Sequence, residues 1–500
     1  MRLSGWMHWS GGRVGGVTGV WMMLACLVLT GGKAVADSGL PGAAAKETIP
    51  ALMVSDIHFE PFWDPGKLQQ LAAAPVSGWK AILAAPASAD RETQFRALED
   101  TCHVRGDDTS YPLFASALGA IGKDAAGAKF VTVSGDLIAH AFTCKFGAEF
   151  PKAAPGDYRA FVEKTIDFVV DELRGALPGV PVFVALGNND SDCGDYMLDA
   201  KSEFLSDTGA EVTKGFPAQE RKGALESFAA GGYYSVALPA PVEHARLLVL
   251  NDLFMSSRYE TCAGKDSTTE ADAQLAWLRQ QMADAQSKHE KVCVMGHIPP
   301  GVDVHASALK PGDVCGKKGP KMFLASEKIA EELVEFSDVV ELAVFAHTHM
   351  DEVRVLKAEN GKDAAAERGV AVKMVGSISP INGNAPSFTI ARVDPASAAL
   401  VDYRVFTAWN ATGVDTTWKE EYDWGKTFHE DEFSAASVSK AIAGFNADPE
   451  GKTEMSRDYM HNFFSGNDSP LLGLVWPQYV CGLWNDSADA FKACVCTAGR

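Results

Sequence analysis

The heptapeptide Phe130-Val131-Thr132-Val133-Ser134-Gly135-Asp136 joins an apolar, alternately β-branched run to a small-residue turn and a carboxylate, with His140 four residues on. Such a run reads as a buried strand that delivers Asp136 to the rim of a sheet. Behind one strand alone, a Gly-Asp is far more readily an ordinary turn. The same design recurs four times, however, each time as an apolar strand that ends in residues able to bind a metal. These are Ala51-Leu52-Met53-Val54 into Asp56-Ile57-His58, Val182-Phe183-Val184-Ala185 into Gly187-Asn188-Asn189-Asp190, Val292-Cys293-Val294-Met295 into Gly296-His297, and Leu342-Ala343-Val344-Phe345 into His347-Thr348-His349. Five such endings in one chain argue for a single site built from strand ends, with Asp136 as the carboxylate shared by two metal ions.

The strands alternate with segments of helical period at 111–121, 161–173, 274–285 and 331–336, which gives an α/β class with ligand-bearing loops at one sheet edge. Residues 231–236 and 245–251 alternate like an antiparallel pair on a second sheet, and 370–375 and 388–393 read as two further strands. The insertion at 59–106, with Trp63, Trp79, Cys102 and His103, is long enough to be functional or disulfide-anchored, and is expected to wall the site. Beyond about Trp409 the texture changes to acidic and aromatic residues with helix-like runs, among them 418–423 and 434–445. The expected organisation is an export segment at 1–36, a catalytic domain at 37–408 and a helical, cysteine-containing subdomain at 409–500.

Composition narrows the function classes. The chain has 500 residues, 47% hydrophobic and 22% charged, as in an ordinary globular protein. Its 65 acidic against 45 basic residues give a net charge of -20, which disfavours a nucleic-acid polymer as partner. Arg2 and Arg13 precede an apolar run at 20–29, and Ala34-Val35-Ala36 fits a signal-peptidase site. A lipoprotein reading through Cys26 is disfavoured because the apolar run continues past it. No other stretch is a candidate membrane span, so the protein is expected to be secreted or periplasmic.

Ten cysteines fit an oxidising compartment. Cys293 sits within a predicted buried strand and is expected to be a free thiol. The other eight outside the export segment could form four bridges in any of about 105 pairings, the last three partly among themselves. A zinc-thiolate site at Cys494-Val495-Cys496 has the wrong spacing.

Two divalent ions about 3.5–4 Å apart can hold a hydroxide between them and clamp the attacking and leaving oxygens of a phosphoryl displacement. That chemistry needs a bridging carboxylate, neutral imidazoles and oxygen ligands. The strand ends supply all three and no cysteine, so zinc, iron or manganese suits them. In order, Asp56-x-His58, Gly135-Asp136, Gly187-Asn188, Gly296-His297 and His347-x-His349 resemble the calcineurin-like metallophosphoesterases. The resemblance implies a four-layer α-β-β-α sandwich. It also implies that Asp56, His58, Asp136 and His349 hold one metal, and that Asp136, Asn188, His297 and His347 hold the other.

The stretches Ser134 to His140, Gly296-His297-Ile298-Pro299-Pro300-Gly301 and His347 to Glu352 are similar to acid sphingomyelinase-like phosphodiesterases. Nothing ahead of Asp56 could be the lipid-extracting module of the sphingolipid enzyme itself, so a small soluble phosphodiester, of nucleotide or phospho-alcohol type, is the expected substrate. His140, Asn189 and Asp190 are the catalytic candidates. The family's usual Gly-Asn-His-Asp is here Gly187-Asn188-Asn189-Asp190, and an amide cannot serve as the family's acid; His140 matches a catalytic histidine of the sphingomyelinase-like group. Ala346 replaces the usual Gly of the last motif.

Endopolyphosphatase-like members also carry Asn at the position of Asn189. That, with Lys310, Lys317, Lys318 and Lys321 after the Gly296-His297 motif, keeps an endopolyphosphatase or phosphomonoesterase as the alternative, and a non-catalytic metal- or phosphate-binding protein as a third reading.

Overall fold

The computed structural model describes residues 47–308, 310–357 and 369–497. The export segment, with Ala34-Val35-Ala36 and Cys26, lies outside the described residues. Among the described residues, twelve strands form two sheets of six. They are β1 (Ile49–Val54), β2 (Val131–Ser134), β3 (Val182–Ala185), β4 (Tyr234–Ala237), β5 (Ala245–Val249), β6 (Lys291–Met295), β7 (Val340–Phe345), β8 (Glu352–Lys357), β9 (Gly369–Met374), β10 (Ser387–Val393), β11 (Leu400–Ala408) and β12 (Trp418–Asp423). The first sheet runs β12-β11-β10-β1-β2-β3 and the second β4-β5-β6-β7-β9-β8. Helices accompany both sheets around one contiguous apolar core, the sandwich expected.

What positions the site is the parallel centre of each sheet. β1, β2 and β3 are mutually parallel, as are β5, β6, β7 and β9. All five strand ends singled out in the sequence are the C-terminal ends of these strands, where ligands collect in α/β sheets. Their residues are buried on both faces, which is why they read as near-continuous apolar runs. Tyr234 at the start of β4 links the sheets: its hydroxyl donates to the Val184 carbonyl at 3.1 Å and accepts from the Val184 amide at 2.9 Å.

The helices expected at 111–121, 161–173, 274–285, 331–336 and 434–445 are Tyr111–Asp124, Asp157–Ala176, Thr269–Lys288, Lys328–Glu335 and Ala435–Asn446. Ser110 caps the first through the Leu113 amide, and Ser434 with Ser437 forms a capping box on the last. The stretch 418–423 is not helical. It is the edge strand β12, and its partner β11 was not foreseen either. A register shift at Val405/Phe406 breaks the alternation on the paired strand, and Lys419, Glu420 and Glu421 are helix formers that an exposed edge tolerates.

The insertion at 59–106 is helical and disulfide-anchored, through Cys102–Cys144. Part of it packs on the core: Trp79 is fully buried against Phe161 and Phe168 of the helix Asp157–Ala176. The other bridges are Cys193–Cys262, Cys315–Cys496 and Cys481–Cys494, and Cys293 is a buried free thiol. Four disulfides fit an extracellular protein. No helix among the described residues is long and apolar enough to cross a membrane.

Candidate metal centre

The seven residues read as metal ligands converge. The Nε2 atoms of His58 and His349 face each other at 3.2 Å, and His297 Nε2 faces His347 Nδ1 at 3.2 Å. His58 donates through Nδ1 to the Ile138 carbonyl (2.9 Å), and His297 through Nδ1 to the Ser134 carbonyl (2.8 Å). Each bond places the lone pair on Nε2, aimed inward. Asp136 stands between the two pairs, its Oδ2 3.4 Å from His58 Nε2 and 3.2 Å from His297 Nε2. Asp56 Oδ1 lies 3.6 Å from His349 Nε2, and Asn188 Oδ1 lies 3.1 Å from His297 Nε2.

Such a centre fits cations. Where both facing nitrogens present lone pairs, a cation between them would take the place of the hydrogen bond that they otherwise share. Asp56 Oδ1 is buried without a hydrogen-bond partner, an arrangement that is costly in an unfilled interior. Burial takes His58 down to about 4 and His347 to about 3, so both are neutral imidazoles, the form that ligates. His297 is the exception: burial lowers it, but Asp136, Asp56 and Asp252 outweigh burial and raise it to about 10. The carboxylates thus call for positive charge at this point. The groups His58-His140-His349, Asp56-His58-Asp136 and Asp136-His297-His347 each have ligand atoms close enough to hold an ion, and Asp136 belongs to two of them. The further grouping of Asp192 with Cys193 and Cys262 is consumed by the disulfide.

The backbone is bent to present these groups. Asp56, His58, Asp136, His347 and His349 all have positive φ, 42°, 42°, 53°, 72° and 67°. Left-handed non-glycine residues cost on the order of 1–3 kcal/mol each and persist where surrounding structure over-determines them. Here the loops bond to one another: the Asp56 amide donates to the Gly135 carbonyl (3.0 Å) and the His58 amide to the Asp136 carbonyl (2.9 Å). Gly187 must be glycine, since a Cβ there would meet Asp136 Oδ1 at 2.1 Å and the Asp136 amide at 2.3 Å. Ala346 is not among the left-handed residues, so its position accepts alanine without strain.

His140 lies beside the centre, at its solvent side. Its ring stacks on His58 with centroids 3.9 Å apart, and its side chain is 33% exposed where His58 and His297 are fully buried. Asp108 accepts from the His140 amide (2.8 Å) and from Nδ1 (3.0 Å), and Ser379 Oγ donates to the same carboxylate at 2.9 Å. Burial lowers His140, but the Asp108 carboxylate outweighs it and lifts the imidazole to about 9.

Asn189 touches the centre differently: its amide donates to Asp136 Oδ1 (2.9 Å) and its Nδ2 to Asp136 Oδ2 (3.1 Å). Asp190 does not face the centre. Its Oδ1 accepts from the amides of Leu137 and Ile138 (2.8 and 3.1 Å) and its Oδ2 from Gly187 (2.8 Å), so it braces the loops after β2 and β3. Of the loop lysines, Lys318 pairs with Asp313, and Cys315–Cys496 anchors the loop that carries it.

Four site residues escaped the sequence reading. Asp252 accepts from the amides of His297 (2.8 Å) and Ile298 (3.0 Å) and holds the β6 loop. Since Asn251-Asp252 also follows an apolar strand, β5, the rule used for the other five endings would have found it. Tyr196 Oη lies 3.2 Å from His347 Nε2, and Asp195 accepts from Asn188 Nδ2 at 2.7 Å. Asp108 carries no local signal.

Comparison with known proteins agrees with this geometry. The chain is 22% identical over 399 residues to sphingomyelinase phosphodiesterase C of Dictyostelium discoideum, across 78% of this chain and 82% of that protein. It is 23% identical over 430 residues to the Homo sapiens cyclic GMP-AMP phosphodiesterase SMPDL3A (83% and 84% covered). It is 24% identical over 349 residues to the Homo sapiens acid sphingomyelinase-like phosphodiesterase 3b (68% and 72%). The family model described as calcineurin-like phosphoesterase matches residues 49–351, more than half of the chain and the span of all five strand endings. The protein is therefore a phosphoric ester hydrolase that works with divalent metal ions, and it belongs to the calcineurin-like phosphoesterases.

Proposed function

We propose that this protein is an exported phosphodiesterase that hydrolyses a small soluble phosphodiester with two bound divalent ions, zinc in the first place. The observation that carries the reading is the seat of Asp136, one carboxylate between two facing imidazole pairs. Asp56, His58, Asp136 and His349 would hold one ion, and Asp136, Asn188, His297 and His347 the other. When bound, the ions supply Lewis acidity at the phosphoryl group and activation of the nucleophile. The names of the relatives, among them a cyclic GMP-AMP phosphodiesterase, support a diester of nucleotide type, and the disulfides support export.

The chain's own residues do the rest. His140 holds a proton on Nε2 for the departing ester oxygen, because Asp108 occupies Nδ1 and fixes the ring against His58. Asn189 replaces the family's acid with a neutral donor and orients Asp136. Tyr196 and Asp195 hold His347 and Asn188, and Asp252 holds the backbone under His297.

Asn189 keeps the endopolyphosphatase or monoesterase reading in second place; the pairing of Lys318 with Asp313 weakens it. Metal-loaded protein assayed against bis-p-nitrophenyl phosphate, p-nitrophenyl phosphate and polyphosphate separates the readings. The diester is expected to be preferred, and preference for the monoester or the polymer would overturn the proposal. Turnover that tracks metal content rules out a purely binding role.

A further inference from the structure

A cavity of about 370 Å³ opens directly beside the metal centre. His347 forms part of its wall, and the Phe323 ring stands edge-on to that imidazole with centroids 5.6 Å apart. Val304, Phe463, Leu472 and Val475 continue the lining with hydrocarbon. Leu471 and Leu474 also line it yet are 55% and 75% exposed, two of the four exposed large hydrophobic side chains found among the described residues. Of the polar groups in the wall, which also include Asp303, His305, Thr348 and Asn382, three are tied up among themselves and on backbone carbonyls. Glu352 pairs with Arg354, Tyr479 Oη donates to Glu352 at 2.7 Å, and Arg354 Nη1 donates to the carbonyls of Pro300 (3.3 Å) and Val302 (3.4 Å). A second phosphate or other charged group buried against the hydrocarbon part of this wall would have to shed its water, with Glu352 and Arg354 already paired to each other.

We propose that this cavity is the subsite for an uncharged, apolar substituent of the phosphodiester: a short alkyl or aryl group on an ester oxygen, while the phosphate lies at the metal centre. The assignment rests on the phosphodiesterase reading above. The cavity shares His347 with the metal centre, so one small molecule can reach both. Its size falls within the roughly 300–1,000 Å³ usual for small-molecule pockets. Leucines left in water at its edge are the surface such a substituent would cover on binding.

The test compares methyl p-nitrophenyl phosphate with hexyl p-nitrophenyl phosphate. The two share a leaving group and differ only in hydrocarbon. Full-length, metal-loaded protein is assayed below the concentration at which the hexyl ester aggregates. Because each buried methylene is worth a factor of a few, kcat/KM for the hexyl ester should exceed that for the methyl ester by about tenfold or more. In a Leu471→Ser/Leu474→Ser double variant, whose positions are exposed and tolerate polarity, the ratio should fall toward one, as it should in Phe323→Ala.

A ratio near one in the unaltered protein, or a ratio that both variants leave unchanged, overturns the subsite. A hexyl preference that appears only above the aggregation threshold also overturns it, in favour of a lipid surface. Failure to cleave either ester with verified metal content overturns instead the phosphodiesterase reading on which the subsite rests.

Discussion

Replacing Asp136 by Asn keeps the shape of the side chain and removes its charge. The carboxylate now has Oδ2 within 3.4 Å of His58 Nε2 and 3.2 Å of His297 Nε2, so the substitution reaches both ligand sets at once. The amide nitrogen of the new side chain cannot ligate a cation, and it would meet the Asn189 donors that now rest on Asp136. Loss of even an outer partner of a ligand typically costs about 10–100-fold in metal affinity. Applied to two ions, that factor lowers the doubly loaded fraction by on the order of 100- to 10,000-fold at limiting metal. Metal content after dialysis against a fixed free-metal concentration, the metal-induced rise in thermal midpoint, and hydrolysis of bis-p-nitrophenyl phosphate should all fall together. A variant that retains two equivalents of metal with unchanged affinity and near-normal turnover would refute the shared-carboxylate arrangement.

Gly187→Ala alters no ligand, but its Cβ would collide with Asp136 backbone and side chain; metal affinity measured by titration should drop as in Asp136→Asn, and normal affinity would show that the loop can move aside. His140→Ala should slow an alkyl phosphodiester far more than a p-nitrophenyl one, by a further factor of about 10²–10⁴, with metal content intact. Asp108→Asn should give a smaller loss of the same kind; equal losses on both substrates would assign His140 to phosphate binding. Away from the centre, burial together with Glu211 and Asp171 raises Asp167 to about 7, and burial together with Asp207 does the same to Glu163. Their usual values are 3.8 and 4.5, so the folded chain binds the extra protons and these groups stabilise it fully only below about pH 4, losing that contribution as pH rises through about 7. The thermal midpoint should therefore fall over that window in the parent and fall less in Asp167→Asn/Glu163→Gln; an identical pH profile in both proteins would contradict the assignment.

Much of the centre was legible because its parts are local. A strand buried on both faces has to be apolar, and its abrupt polar ending marks where the chain emerges at the sheet edge; β1, β2, β3, β6 and β7 all behave so. What could not be read is what depends on partners distant in sequence. Asp108 matters only because folding sets it against His140 and Ser379, 32 and 271 residues away. The strand β12 exists because β11 offers it an edge, not because Trp-Lys-Glu-Glu-Tyr-Asp prefers to be extended. Asp190 looked like part of the chemistry because of its motif, whereas three backbone amides account for both of its oxygens.

The seat of β1 bears on where the chain can be cut. One of its edges pairs with β2, but the other pairs antiparallel with β10, Ile49 opposite Val393 and Met53 opposite Thr389. A chain stopped at residue 351, where the family match ends, would retain all seven ligand residues and yet leave the strand that carries Asp56 and His58 with a bare edge, and β7 without β9 beside it. During synthesis the same gap stands open until more than three hundred further residues have been made, so contacts of high sequence separation must close before the first ligands are fixed. Expression of the motif-bearing part alone should therefore give aggregation rather than a minimal enzyme, with the unpaired edge of β1 as the template for it.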